Sequence, residues 1–404
     1  MREFLVRTIT VAATVMVMLL LAEGLLRLAP SLIGIAALER FEPALRVEIV
    51  TRLGLATRAD RNIIPSEQRS DKGPDLKLHW PNRRYVRPVD DADLAVGGAD
   101  SFETDALGFC NPLEILPRKP IHALTIGGSI PNCAATTAAD NYTVRLGELL
   151  QINSYNLAVP GTGPYDYLET LRRFGGNLSP KIVVMTIAEA DDLRDIERFH
   201  KFKTKKAKKP KPARESGSKF GIFSTSYALA FLKAGIELTV KTIREGMGLN
   251  FRYSVLVQNK RTALNIHNGD VYELQLAHRV SEGKVSPALY EDSVLQFAAL
   301  AEKMGFIPLV VLVPAVYTVY ADTIEYEDKK IAPVMRAYSD MQRKWLADNS
   351  DRLGVKFFDS TAKMRELSKA RPLLFFPSNV HLTAEGHKAL AEAVAPAVEN
   401  LLRP

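Results

Sequence analysis

His122-Ala-Leu-Thr-Ile126 runs directly into Gly127-Gly128-Ser129, and His381-Leu-Thr-Ala-Glu-Gly-His387 opens the last amphipathic run of the chain. An apolar run followed by a glycine turn and a serine is typical of a buried strand that ends at a nucleophile. A histidine near the C-terminus is a candidate base for that serine. Because the two segments lie far apart in the sequence, this interpretation requires a fold that brings them together.

Strand-like and helix-like runs alternate from residue 121 onward. Short apolar runs suited to buried strands occur at Ala123–Ile126, Ser154–Val159, Lys181–Ile187, Phe306–Val313 and Val355–Phe358. Amphipathic stretches suited to helices occur at Tyr142–Gln151, Tyr165–Phe174, Ala288–Lys303, Val334–Ala347 and Ala384–Leu402. The alternation predicts an α/β fold with a doubly wound, mostly parallel sheet of the flavodoxin-like kind.

The predicted organisation has three parts. Residues 1–29 form a membrane segment, residues 30–99 a juxtamembrane region with a few flanking strands, and residues 100–404 the α/β domain. Residues 200–285 interrupt the alternation, and we expect them to be an insertion after the third strand, with a helix that starts near Ser226.

The N-terminal segment is basic at its start and then apolar. Thr8 to Ala22 contains no charge, and continuing to Ala29 reaches the roughly 20 residues that a spanning helix needs. This predicts a single-pass anchor in the inner (cytoplasmic) membrane, with the rest of the chain on the periplasmic or extracytoplasmic side. A cleaved signal peptide that ends near Ala22-Glu-Gly24 is the alternative.

The formal net charge of +7 is concentrated in one segment. Residues 201–214 carry eight Lys or Arg and no acid, so the rest of the chain sums to −1 (7 − 8). With two prolines and almost no apolar residues, the segment is predicted to be a mobile arm that binds anionic lipid or an acidic polysaccharide. A solubilising loop without a partner is the alternative. Nucleic acid is not an expected partner, because no aromatic platform beyond Phe202 accompanies the lysines.

No cofactor and no metal are expected. Neither G-x-G-x-x-G nor G-K-[ST] follows the first strand, which argues against dinucleotide and P-loop binding. The two cysteines, Cys110 and Cys133, lack the spacing of a metal site.

Polar residues follow several predicted strands at their carboxyl ends, where ligands bind in open parallel sheets. Ser129 follows the first strand, Gly161-Thr-Gly163 the second and Ala190-Asp191-Asp192 the third, and His381 precedes the last helix. Taken singly, each has a structural explanation, such as a tight turn, a helix-start acid or a solvated histidine.

The order of these blocks resembles the SGNH (GDSL-type) hydrolases. GGS is followed by NLAVPGTGPYDYL, ADDLRD and HLTAEGH, and Asp105-Ala-Leu-Gly-Phe109 precedes them as in the membrane-anchored bacterial branch of that family. The resemblance implies that Ser129 is the nucleophile and also offers its backbone N–H to the oxyanion. It further implies that Gly161 supplies a second oxyanion N–H and that His381 is the base.

Three positions depart from the family pattern. Gly128 stands where the family has aspartate, and Asp191 stands where the family has an asparagine that donates to the oxyanion. An ionised carboxylate only accepts hydrogen bonds, so Asp191 serves as a donor only if burial keeps it protonated. The aspartate expected just before the histidine is absent, which leaves Ser378 and Asn379 as candidates to orient His381, a backbone carbonyl being the alternative.

The resemblance therefore implies an esterase or acyltransferase that acts on O-acyl groups, by analogy the O-acetyl groups of an envelope polysaccharide. The alternative is a catalytically inactive protein of the same fold that binds glycan or a partner in envelope assembly. If the family geometry persists, Asp191→Asn together with Asn379→Asp should raise activity, and His387 should be dispensable.

The same resemblance places the Gly-Phe segment that precedes Cys110 near the nucleophile turn. It therefore predicts a disulfide between Cys110 and Cys133, the alternative being two unpaired buried cysteines.

Overall fold

The computed structural model describes residues 1–113, 120–207, 225–246, 251–267 and 271–403. The helices are α1 (Arg2–Leu28), α2 (Ile35–Leu38), α3 (Pro43–Leu53), α4 (Asp91–Leu94), α5 (Tyr142–Leu150), α6 (Pro164–Thr170), α7 (Asp192–Ala207), α8 (Tyr227–Gly246), α9 (Val271–Ser281), α10 (Tyr290–Met304), α11 (Val316–Val319), α12 (Ile331–Asn349), α13 (Thr361–Ser368) and α14 (Ala384–Leu402). The strands are β1 (Ala56–Thr57), β2 (Asn62–Ile64), β3 (Leu76–Leu78), β4 (Arg84–Val86), β5 (Ser101–Glu103), β6 (Ala123–Ile126), β7 (Ser154–Asn156), β8 (Ile182–Ala188), β9 (Tyr253–Val257), β10 (Lys260–Leu264), β11 (Ile307–Val313), β12 (Glu325–Tyr326) and β13 (Lys356–Asp359).

A five-stranded parallel sheet with the order β13-β11-β8-β6-β7 forms the centre of the α/β part. Counted along the chain within this sheet, the order reads 5-4-3-1-2, which is the flavodoxin-like order read from the other edge. Every residue of β6 and β8 is buried, as expected for central strands that are covered on both faces. The predicted α/β fold with a doubly wound parallel sheet is confirmed.

The register of the sheet brings several loops to one edge. β8 and β11 pair from Ile182 opposite Ile307 to Ala188 opposite Val313, so both strands leave the sheet at the same level. β7 ends at Asn156, before the predicted end at Val159, and the chain continues from there as a loop. That loop still lies against β6.

Helix α6 is shorter than predicted. It begins at Pro164, and the side chain of Asp166 accepts a hydrogen bond from the backbone N–H of Gly163 at 3.1 Å. After Thr170 the regular helix gives way to a wider π-type turn over Leu171–Gly175, so the predicted single helix is two different segments.

The chain forms two compact units. The smaller comprises Met1–Asp60, Arg84–Pro88 and Lys211–Met247, and the larger comprises Arg61–Arg83, Val89–Pro210 and Gly248–Pro404. This division differs from the predicted boundaries, because much of the region 30–99 packs within the α/β unit. Part of the predicted insertion, α8, packs with the N-terminal helices instead. The reason is a hydrophobic cluster that α8 completes with α1, α2 and α3, made of Leu26, Ile33, Ala37, Leu38, Phe41, Leu45, Ile49, Val50, Tyr227, Ala230 and Ala234.

Among the described residues, α1 contains one segment that is long and apolar enough to cross a membrane. Val6–Leu28 spans 23 residues with a mean hydropathy of 2.2, and its side chains are almost entirely exposed. Length and composition fit the predicted anchor, and they fit a signal sequence equally.

The basic segment 201–214 is ordered in its first half, which corrects the prediction of a mobile arm there. Residues 201–207 continue α7, and Lys201 Nζ lies 2.8 Å from Glu197 Oε1 one turn earlier. Pairing of this kind stabilises a helix that composition alone disfavours. Positions 208–214 lie outside the described residues.

Candidate active site

The turn that carries Ser129 leaves β6 at the carboxyl edge of the sheet. The backbone N–H of Val159, in the loop after β7, donates to the carbonyl of Gly127 at 3.0 Å, so the two loops begin side by side. Gly161 in the second loop has φ of +75°, a conformation that favours glycine. The structure thus places the Gly161 loop against the Ser129 turn.

A tyrosine occupies the space beside Gly128. A Cβ atom at this position would stand 2.7 Å from the hydroxyl of Tyr167 and 3.1 Å from the carbonyl oxygen of Thr162. The aspartate of the family pattern therefore does not fit here without movement of these neighbours. The Tyr167 hydroxyl donates to Asp192 Oδ1 at 2.5 Å, and the other oxygen of Asp192 accepts from the backbone N–H of Ala188 at 2.8 Å. Sequence reasoning missed this role of Tyr167.

Asp191 and Asp192 have opposite environments. The Asp191 side chain is 31% exposed, and its Oδ2 lies 3.6 Å from Arg194 Nη2. Burial raises the pKa of Asp192 well above its usual range, and the charge of Asp191 raises it further. A donor role for Asp191 would require burial that keeps its carboxyl protonated. The structure buries Asp192 instead, and the Asp192 carboxyl accepts the hydrogen bond from Tyr167.

Three contacts restrain the loop that follows Ser129. The carbonyl of Pro131 accepts from the Asn156 amide at 2.7 Å and also from the Asn141 amide. In the structure Cys110 and Cys133 form a disulfide, with their Cα atoms 6.1 Å apart. The loop that follows Ser129 is thereby tied to the end of β7, to the start of α5 and to the segment before β6.

The Asp105-Ala-Leu-Gly-Phe109 segment is a tight turn built on its aspartate. Asp105 Oδ1 accepts from the backbone N–H groups of Leu107 at 2.8 Å and of Phe109 at 3.0 Å. Its Oδ2 accepts from the Asn111 amide at 2.9 Å and from the Tyr155 hydroxyl. Asp105 therefore shapes the turn that presents Cys110.

His381 lies just before α14, and Asn379 holds its ring. His381 Nδ1 lies 2.9 Å from Asn379 Oδ1, and the backbone N–H of His381 donates to the same oxygen at 2.9 Å. An amide oxygen only accepts, so the proton of the neutral ring is on Nδ1 and the lone pair is on Nε2. This is the tautomer that a base acting on a serine hydroxyl needs.

A buried aspartate from a distant segment fixes the amide of Asn379. Asn379 Nδ2 donates to Asp93 Oδ2 at 2.5 Å, and the Ser378 backbone N–H donates to Asp93 Oδ1 at 2.9 Å. The Ser378 hydroxyl also donates to Asp93, which is only 2% exposed. Because a carboxylate only accepts, Asn379 must turn its NH₂ to Asp93 and its oxygen to His381. Of the two candidate residues, Asn379 contacts the ring and Ser378 contacts Asp93.

Sequence reasoning missed Asp93. It precedes Ser378 by 285 positions and falls in the region predicted to be juxtamembrane. No motif surrounds it, so the sequence carried no signal for its role.

Two contacts connect the surroundings of His381 with the chain that follows Ser129. The backbone N–H of Ala99, shortly after Asp93, donates to the carbonyl of Ala135 in that loop at 2.9 Å. On the other side, the backbone N–H of Tyr142, the first residue of α5, donates to Nδ1 of His387 at 3.3 Å. These contacts join the segments on either side of the candidate site.

His387 is a buried structural residue. Burial lowers its pKa to about 3, so the ring is neutral and accepts the hydrogen bond from Tyr142 at the start of α5. The structure gives His387 a part in joining α14 to α5, and the expectation that it is dispensable for catalysis stays a prediction.

No protein-family model matches the chain, and no curated protein matches it in sequence. Among solved structures it is similar to TesA, with 11% identity and a TM-score of 0.38 over 70% of this chain and 99% of that one. It is similar to the acetyl xylan esterase AlAXEase, with 13% identity and a TM-score of 0.35 over 69% of this chain and 100% of that one. A GDSL-like lipase from Bacteroides thetaiotaomicron has 12% identity and a TM-score of 0.32 over 70% of this chain and 91% of that one.

The chain's own architecture carries the conclusion on its fold. The sheet has the flavodoxin-like order, the Ser129 turn follows its first strand, and His381 precedes the last helix. This is the arrangement that the motif resemblance implied, and the chain has the fold of the SGNH (GDSL-type) hydrolases.

Proposed function

We propose that this protein is a membrane-anchored serine esterase or acyltransferase in which Ser129 is the nucleophile and His381 the base. One observation carries the proposal, the hydrogen-bonded series from Asp93 through Asn379 to Nδ1 of His381. It leaves Nε2 of His381 as the basic atom, and it places a buried acceptor-only group behind the asparagine. Both features suit a histidine that acts as a general base.

The proposed chemistry follows from these atoms. Ser129 Oγ attacks the ester carbonyl while its proton passes to Nε2 of His381, and the backbone N–H groups of Ser129 and Gly161 stabilise the oxyanion. The imidazolium then protonates the leaving alcohol oxygen. Water, or the hydroxyl of an acceptor in the acyltransferase case, gives its proton to Nε2 and releases the acyl group from Ser129. The negative charge of Asp93 stabilises the imidazolium through the Asn379 amide.

Asp191 limits the rate in this scheme. Paired with Arg194 at 3.6 Å, it presents a carboxylate where the family pattern has an oxyanion donor. Loss of one such donor typically costs about 10² to 10³ in rate. We therefore expect a slow esterase.

The same residue favours a second candidate function. A site whose oxyanion position holds a carboxylate suits binding of an acylated glycan without turnover, or of a partner in envelope assembly. In that case the wild-type protein should bind acetylated glycan without hydrolysing it.

The substrate and location remain part of the proposal. We place the α/β unit on the periplasmic or extracytoplasmic side of the inner membrane, with the O-acetyl groups of an envelope polysaccharide as substrate. The length of α1 supports an anchor, and the disulfide suits an oxidising compartment. The basic segment 201–214 stays a proposed contact for anionic lipid or acidic polysaccharide.

Hydrolysis of p-nitrophenyl acetate by the full chain in detergent tests the proposal. Ser129→Ala and His381→Ala should each abolish activity while leaving the thermal midpoint within a few degrees. Ser281→Ala and His278→Ala, both exposed on α9, are matched controls and should retain it. Activity that survives Ser129→Ala would remove the catalytic assignment.

A further inference from the structure

Helix α8 is apolar on two opposite faces. One face, with Tyr227, Ala230 and Ala234, is buried against α1, α2 and α3. At the spacing of a helix, a second row of large apolar residues lies on the other side and is exposed. This row consists of Leu232 (55% exposed), Ile236 (59%), Val240 (41%) and Ile243 (55%).

The first turn of α8 is attached to the last turns of the spanning helix α1. Glu23 Oε2 accepts from the Ser226 hydroxyl at 2.8 Å and from the backbone N–H of Ala228 at 2.9 Å, so it caps α8. Arg27 donates to the carbonyl of Thr225 at 2.6 Å. Since the apolar span ends at Leu28, these contacts place the start of α8 at the level of the membrane interface.

Helix α8 does not run beside the middle of the span. Side chains there, from Val15 to Met18, are at least half exposed, so α8 does not cover them. Further along α8, Lys233 Nζ lies 3.1 Å from Glu42 Oε1, just before α3. The helix therefore extends over α2 and α3, outside the apolar span.

We infer that α8 is an interfacial helix whose exposed apolar row lies at the boundary between lipid headgroups and acyl chains. The inference rests on the membrane anchor in the proposed function and adds a second contact with the bilayer. Leu25 and Leu28 at the same end of α1, and Leu32 just after it, are also exposed. A helix with a continuous exposed apolar face next to a membrane span is stabilised when lipid covers that face.

The test uses full-length protein in vesicles of phosphatidylcholine and phosphatidylglycerol. A fluorescent NBD label is placed on a single new cysteine, either Ile236→Cys on the apolar row or the matched control Glu237→Cys. Val15→Cys serves as the reference for lipid and Asp348→Cys as the reference for water. Quenching is measured with doxyl-labelled lipid and with iodide. The label at Ile236→Cys should be quenched by doxyl lipid at least about twofold more than the label at Glu237→Cys, with the reverse order for iodide.

The two references separate the ways in which the inference can fail. The label at Val15→Cys could be in lipid while the label at Ile236→Cys is as accessible to iodide as that at Asp348→Cys. That result would reject the interfacial position of α8 and support the membrane anchor. Protection of the Ile236→Cys label from both quenchers would mean that protein covers the row, which also overturns it. An iodide-accessible label at Val15→Cys would remove the anchor itself, and the inference with it.

Discussion

The side-chain amide of Asn379 donates to the carboxylate of Asp93 at 2.5 Å while its oxygen accepts from the ring of His381 at 2.9 Å. In the proposed mechanism, the two residues divide the task that one aspartate performs in a Ser-His-Asp triad. Asn379 sets the tautomer of the histidine, and Asp93 supplies the charge. In a serine protease, the orienting aspartate replaced by asparagine costs about 10⁴ because the wrong tautomer is held. Here Asp93 decides which end of the amide faces the ring, so that cost does not apply in full.

Asp93→Asn should lower kcat by at least about tenfold with little change in KM, because the Asn379 amide is then free to turn and present its NH₂ to His381. Steady-state hydrolysis of p-nitrophenyl acetate measures this split. Asp91→Asn, an exposed change on the same short helix, is the matched control. A parallel loss in both variants would show that the effect is not specific to the carboxylate of Asp93.

Exchange of the two residues is a stronger test. Asn379→Asp alone should reduce activity, since it sets a second carboxylate against Asp93. Asp93→Asn together with Asn379→Asp restores a conventional aspartate beside His381 and should exceed the wild type by at least about tenfold in kcat. The expectation that Asn379→Asp helps without a change at Asp93 is revised accordingly. Equal activity of the single and double variants would contradict the role given to Asp93.

Asp191→Asn should raise kcat by at least about tenfold, because it removes a charge that opposes the oxyanion and adds a donor. Asp191→Ala removes the charge without adding the donor, so comparison of the two variants under identical assay conditions separates the contributions. No gain in either variant would favour the glycan-binding function.

The sheet could be predicted from the sequence, whereas the part that Asp93 plays in the site could not. Runs such as Ile182–Ala188 are apolar enough to identify a buried strand locally, and the observed strands begin within one residue of the predicted ones. Ser129 and His381 are recognisable because each lies in a motif at an element boundary. Asp93 acts through a contact across 285 positions, which neither periodicity nor spacing reports.

The composition of the two compact units could not be predicted from the sequence for a similar reason. Tyr227 and Ala230 look like part of an ordinary amphipathic helix, and only the folded chain shows that they pack with the N-terminal helices. The order in residues 201–207 likewise depends on a specific pair, Lys201 with Glu197, which the composition of the segment does not reveal.

His387 should make stability depend on pH. Its folded pKa is about 3, against 6.5 for an unperturbed histidine, so below pH 6.5 the unfolded chain binds a proton that the folded chain does not. Stability is therefore greatest above pH 6.5 and falls as the pH drops toward 3, by up to about 1.4 kcal/mol per pH unit from this group. Denaturant midpoints of the wild type and His387→Gln between pH 8 and pH 4 measure it. The variant should lose part of the pH slope, and an unchanged slope would exclude His387 as its source.

Free-thiol counting on unreduced, denatured protein should detect no reactive thiol at Cys110 or Cys133. The bond joins residues 23 positions apart, and closure of such a loop contributes about 3 kcal/mol in the chain-entropy model. Reduction should therefore lower the thermal midpoint, and Cys110→Ser with Cys133→Ser should match the reduced wild type. Two reactive thiols would reject the bridge.

The cap that Glu23 provides for α8 bears on how the chain is processed. A peptidase that cut after Gly24 would discard Glu23 and leave the backbone N–H of Ala228 and the hydroxyl of Ser226 without this acceptor. The segment that such a cleavage would remove thus makes contacts in the folded protein. From these contacts we predict that the first residues are retained, and the intact mass of the purified protein should then correspond to the uncleaved chain.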